Sequence, residues 1–184
     1  MARFKTILVI LTCVVLAAAL AGYIVMNRKK SAPQGSSSSI SYETYVNVRF
    51  AYSVCYAPSL FIPQGEAADG DGQKFLSRDG HATVFVYGSN ATDQTLQQDL
   101  NQEAGYLTGG ASPATIVQKS LGQNSFTISA QTPAQIIYEK TLLQDNEFKT
   151  IQIQYDKPQA PTYQAIVTMM VDCFVNTSGT TYGK

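Results

Sequence analysis

One histidine, a group of aspartates and a widely separated pair of cysteines are the residues of this 184-residue chain whose types and spacing could do chemistry. His81 is the sole histidine, so any serine-nucleophile mechanism must use it as the base. It follows the turn dipeptide Asp79-Gly80, where a solvated turn residue is the plainer reading, and no GxSxG elbow surrounds a serine. Asp69, Asp71 and Asp79 form the densest acidic group, in a stretch rich in glycine. Carboxylates and carbonyls brought close by Asp-Gly-Asp-Gly suit the oxygen-hungry Ca²⁺ ion. The run nevertheless lacks the further ligands and the distal glutamate of an EF-hand loop, so turn chemistry competes with a weak calcium site. Cys55 and Cys173 have neither CxxC spacing nor companion histidines for a zinc site. They suit either a disulfide in an oxidising compartment or two unrelated buried thiols.

The remaining motifs are weaker. Gly105–Gly110 (GYLTGG) is no phosphate loop, because no Lys-Ser/Thr follows it. Asn90-Ala91-Thr92 and Asn176-Thr177-Ser178 match the glycosylation sequon, a short pattern that recurs by chance. Tyrosine is abundant at 11 residues, and Tyr42 and Tyr45 lie at the start of the first strand-like run. They are candidates for an interface, with a core role for this tyrosine group as the alternative. No motif calls for a cofactor.

Several elements are predicted to position these residues. Val46 to Tyr56 alternates strictly in hydropathy, the period of a strand or a bent pair of strands. Pro58 and Pro63 bracket a predicted turn holding Leu60, Phe61 and Ile62. Gln73–Ser77 reads as a short strand, Asp79-Gly80 as a hairpin turn, and His81–Tyr87 as a strand apolar on both faces and hence covered on both. Asp93–Ala104 carries Leu96, Leu100 and Ala104 at helical spacing. Four strand-like runs follow: Ala114–Ser120, Ser125–Ala130, Gln135–Leu143 and Phe148–Tyr155. Ile166, Met169, Met170, Cys173 and Phe174 then fall on one face of a helix over Thr162–Val175, which would carry Cys173 toward a strand cysteine. The sum is an antiparallel α+β sandwich, one sheet with two packed helices.

This body, residues 43–184, is preceded by a different kind of sequence. Ile7 to Met26 is an uncharged run of twenty residues, long enough as a helix to cross the roughly 30 Å hydrocarbon core of a bilayer. A cleaved signal peptide would use Ala19-Leu20-Ala21, but apolar residues resume after it, so residues 1–30 read as an uncleaved transmembrane anchor, with a signal sequence as the alternative. Residues 31–42, SAPQGSSSSISY, are a Ser-rich linker. The overall balance of 13 basic and 13 acidic side chains conceals an asymmetry. Arg3, Lys5, Arg28, Lys29 and Lys30 precede every acid, leaving 8 basic against 13 acidic groups in the body. A body with a net charge of −5 argues against a nucleic-acid partner. The flanking charges do not orient the anchor, but a cysteine pair favours a body outside the cytoplasm.

Several of these phrases carry a family resemblance. FAYSVCYAPSLF resembles the aromatic-x-x-Ser-hydrophobic-x-Tyr-Pro opening of bacterial Mog1/PsbP-like domains. GDGQKFLSRDGHATVFVYG, the alternating strand ending at Tyr155, Tyr163–Val167 and the helix ending near Phe174 are similar to segments of uncharacterised envelope proteins of that superfamily. The likeness spans roughly Tyr45 to Val175 and implies a Mog1/PsbP-like sandwich. It leaves function open, because the superfamily holds photosystem subunits, GTPase-binding proteins, secretion chaperones and lipoproteins. Two departures stand out: Tyr56-Ala57-Pro58 replaces Tyr-Pro, and Cys55 and Cys173 replace other residues at positions that could be neighbours. The resemblance thereby implies a Cys55–Cys173 disulfide. The expected function is a non-enzymatic accessory protein of the bacterial inner membrane. It would hold the bilayer through residues 7–26 and recognise another envelope or secreted protein in the periplasm. The alternatives are an architectural module stiffened by calcium at Asp69, Asp71 and Asp79, or a hydrolase using His81.

Overall fold

The computed structural model describes residues 40–179; the apolar leader, and the linker as far as Ser39, lie outside the described residues. Among the described residues no helix is long and apolar enough to cross a membrane.

The alternating run at 46–56 is a hairpin rather than one strand. Strands β1 (Glu43–Asn47) and β2 (Tyr52–Tyr56) pair antiparallel, with Asn47 opposite Tyr52. The reversal is made by Asn47, whose side-chain oxygen accepts the Phe50 N–H at 2.8 Å, and by Ala51, at φ 46°. Hydropathy alternation is blind to a reversal that keeps parity; an Asx turn is its only local sign.

A seven-stranded antiparallel sheet forms the centre. It contains β3 (Phe61–Glu66), β4 (Gly72–Ser77), β5 (Ala82–Asn90), β6 (Thr115–Leu121), β7 (Ser125–Gln131), β8 (Gln135–Gln144) and β9 (Glu147–Asp156). Their spatial order is β3-β4-β5-β9-β8-β7-β6. The segment at Phe61–Ile62 is thus the start of a strand and not a turn. Pro63 is tolerated there because β3 lies at the sheet edge, where a missing N–H breaks no ladder bond on its outer side, and Gly65, at φ 90°, absorbs the register shift between Pro63 and Glu66.

Two helices complete the body. The first, α1 (Leu96–Gly109), begins three residues later than its periodicity suggests, because Thr92 and Asp93 are left-handed at φ 35° and 64°. Thr95 is the N-cap, and it exchanges hydrogen bonds with Gln98 in a capping box. The second, α2 (Ala160–Asp172), follows a 3₁₀ turn at Lys157–Gln159. It ends before Val175 because the chain leaves the helix at Cys173 to form β10 (Val175–Asn176), which pairs with β2 and completes a small sheet of order β1-β2-β10.

The strand registers assign each side chain to a face. Val84, Val86, Ile151, Ile153 and Tyr155 form one buried face with β2 and with Tyr163, Val167, Met170 and Phe174. On the opposite face Leu96, Leu100 and Ala104 of α1 meet Phe126, Ile128, Ile137 and Phe148. Burying each of these large apolar side chains contributes about 1.5–3 kcal/mol. The coverage is staggered. The α1 helix packs on β6 and β7, so on its side the β3–β5 half stays open. Phe85 and Tyr87 of β5 are consequently only half-buried, and full cover on both faces does not occur.

Candidate functional site

His81 emerges just before β5, and its Nδ1 lies 2.8 Å from the Asp156 carboxylate at the end of β9. Antiparallel pairing of β5 with β9 makes the two neighbours: Ala82 is opposite Tyr155, and the Asp156 N–H donates to the His81 carbonyl. The hydrogen bond to Asp156 raises the imidazole pKa, and the Asp156 carboxyl is lowered in turn by that bond and by Gln135. Asp79, in the same hairpin turn, is a structural acceptor. Its Oδ1 receives the Tyr163 hydroxyl at 2.6 Å, the Ser77 hydroxyl at 2.7 Å and the His81 N–H at 3.0 Å. These bonds, Tyr163 foremost, hold its pKa down to about 2. Among the described residues the ring of His81 makes no side-chain hydrogen bond besides that to Asp156.

The three aspartates are not brought together. Asp69 and Asp71 lie in the β3–β4 turn, whereas Asp79 is in the β4–β5 turn, at the other end of β4. A shared calcium site at Asp69, Asp71 and Asp79 is therefore corrected: a strand rather than a loop separates them. Among the described residues no group of three or more His, Cys, Asp or Glu side chains is arranged to hold a metal ion. The Asp-Gly loop instead clamps the β1–β2 hairpin. Asn47, fully buried, donates to Glu66 Oε1 at 3.0 Å and to the Gly70 carbonyl at 2.9 Å. The Tyr52 hydroxyl donates to the Asp71 carbonyl at 3.1 Å, and Arg49 donates to the Asp69 carbonyl.

Tyr45 belongs to this clamp rather than to a free surface. Its hydroxyl donates to Glu66 at 2.8 Å, and its ring packs edge-on against Tyr52 and Phe75. Tyr42 remains exposed. Cys55 of β2 and Cys173, the C-cap of α2, meet with Cα atoms 5.9 Å apart and sulfurs at bonding distance.

Sequence reasoning passed over three acids altogether. Glu139 of β8 is fully buried, and Asp99 of α1 is nearly so. Glu139 accepts a hydrogen bond from Gln152 at 2.8 Å through one oxygen, while the other has no partner. Burial lifts the pKa of Asp99 to about 6. Burial, with Asp99 nearby, lifts Glu103 to about 7. Glu139 is raised to about 7 by burial, opposed by its Gln152 bond and reinforced by Glu103 and Asp99. Tyr87 of β5 is also raised, by burial and then by Glu103 and Glu139. The only signal for this group in the sequence is Glu139 at an alternating apolar position, between Ile137 and Thr141.

Two depressions adjoin these elements. One, of about 330 Å³, lies beside α2 and is lined by Ile136, Tyr138, Val167 and Val171 with Ser129 and Asp172. The other, of about 280 Å³, lies on the open half of the sheet among Gly72, Lys74, Phe85 and Tyr87. A seven-stranded antiparallel sheet with a small second sheet and α2 on one side and α1 on the other is the Mog1/PsbP-like fold. The solution structure of cyanobacterial PsbP (CyanoP) from Synechocystis sp. PCC 6803 matches it with a TM-score of 0.60 and 12% sequence identity, covering 77% of this chain and 96% of that one. At that identity the likeness is one of fold. No family model and no curated protein sequence matches the chain.

Proposed function

We propose that this is a non-enzymatic accessory protein, anchored in a bacterial inner membrane by residues 7–26, whose body faces the periplasm and binds another envelope or secreted protein. The observation that carries the reading is the half-covered sheet. On the α1 side, β3, β4 and β5 present Ile62 (40% exposed), Leu76 and Phe85 without a covering element. Partly exposed aromatic and aliphatic side chains on a rigid strand surface suit a protein partner. The length of the leader supports an anchor, and the meeting of Cys55 with Cys173 supports a disulfide and hence an oxidising compartment.

The test is photocrosslinking in cells from an unnatural amino acid placed at Lys74, with and without Ile62→Asp. A discrete crosslinked protein that disappears with Ile62→Asp supports the reading; the absence of any crosslinked protein, or its persistence in the variant, counts against this face.

A second reading, a hydrolase, is favoured by the Asp156 carboxylate on His81 Nδ1, the orientation a general base requires. It predicts that His81→Ala abolishes the cellular phenotype of the protein.

A further inference from the structure

The floor beneath α1 contains more acid than its surroundings can neutralise. Glu139 has no exposed surface and one unpartnered oxygen, and the charges of Asp99 and Glu103 on the helix act on it. The polar groups beside it are already occupied. Thr141 and Thr150 bond each other at 2.9 Å, and Gln152 serves only the other carboxylate oxygen. From β5 the neighbouring titratable group is the Tyr87 hydroxyl, which offers no cation. On β7 there is no charged residue, and Lys119, the one charged residue of β6, is exposed and forms no ion pair with the three acids. On β8, Lys140 points to the other face, where it donates to the Val171 carbonyl.

Three carboxylates without a facing cation cannot all ionise cheaply in such a place, because a buried charge needs a partner or must be neutralised. No trio among the described residues has the arrangement to hold a metal ion, so protons are the neutralising agent the side chains allow. We propose that α1 is a proton-controlled latch, held on the sheet while Asp99, Glu103 and Glu139 carry protons and loosened as they ionise. Loosening uncovers the apolar strip of Phe126, Ile128 and Ile137 on which α1 lies.

The direction follows from linkage. These groups bind protons more tightly in the docked state than in solvent, so docking is strongest below the ordinary carboxylate pKa near 4. It weakens as pH rises through about 6 to 7, the range reached by the docked acids. The latch is thus closed in acid and looser at neutral pH.

Hydrogen exchange on the full-length chain in detergent, expressed as protection factors at pH 5 and pH 8, tests this. Protection within Leu96–Gly109 should fall by roughly tenfold or more between the two pH values while that of β9 is retained, and Glu139→Gln should remove most of the fall. If Glu139→Gln does not fold, Glu103→Gln, at a half-buried position, should reduce the fall. Equal protection of α1 at both pH values overturns the proposal. So does a fall shared equally by β9, or one unchanged in the variants.

Discussion

Cys55, in the central strand of the small sheet, and Cys173, at the C-terminal cap of α2, have Cα atoms 5.9 Å apart although 118 positions separate them in sequence. They join the start of the body to its end at the place where β10 also pairs with β2. The expected state in intact cells is a disulfide. A membrane-impermeant thiol reagent should label neither cysteine before reduction and both after reduction and unfolding. In the loop-entropy account a bridge of this span stabilises by about 4–5 kcal/mol, so Cys55→Ala with Cys173→Ala should lower the denaturation midpoint accordingly. Ready labelling without reductant would remove both the bridge and the argument it supplies for the compartment.

Gly88 of β5 has the Phe50 ring where a side chain would begin, and Phe50 is buried. Its glycine is required by this approach of the β1–β2 hairpin and not by backbone angle. Gly88→Ala should destabilise by about 1–3 kcal/mol through overpacking. Combining it with Phe50→Leu should cost less than the sum of the two single changes, which urea denaturation can measure. Strict additivity would mean that the hairpin does not rest on β5 in this way.

Tyr163 and Asp79 tie α2 to the β4–β5 turn with a 2.6 Å hydrogen bond. Tyr163→Phe should cost about 1 kcal/mol at neutral pH. The Asp79 carboxyl is held down to about 2, so its contribution is present above its ordinary pKa near 4 and is lost as pH falls toward 2. The difference between wild type and Tyr163→Phe should therefore shrink in acid. The neighbouring His81 behaves oppositely on its own limb: its pKa is raised, so the His81–Asp156 contribution is complete between about 4, where Asp156 is ionised, and about 6.5, and disappears as pH rises through the folded histidine value. Thermal melts of wild type, Tyr163→Phe and His81→Asn from pH 3 to 9 separate the two slopes. A Tyr163→Phe difference that does not change with pH would show that Asp79 is not the acceptor that matters.

Period and punctuation in the sequence were sufficient for the fold class, for β4 and β6 through β9 to within about one residue at either end, for the start of β5 but not its last three residues, and for the apolar stripe of α1, because these depend on neighbours within one element. The edge strand carrying Pro63 and the short β10 were not legible locally, and of the β1–β2 hairpin only a bent pair of strands was, as one of two readings. Each exists because a partner strand supplies its hydrogen bonds. The chemistry divides in the same manner. His81 and the cysteines stand out by type, but that His81 meets Asp156 is a consequence of the β5–β9 register. Asp79 parts from Asp69 and Asp71 because β4 runs between them, and Asp99 and Glu103 act on Glu139 of β8 because a helix packs over that face of the sheet. Composition and periodicity report what each segment prefers along its own length. Which charges face one another without water is decided only when separate segments are packed together.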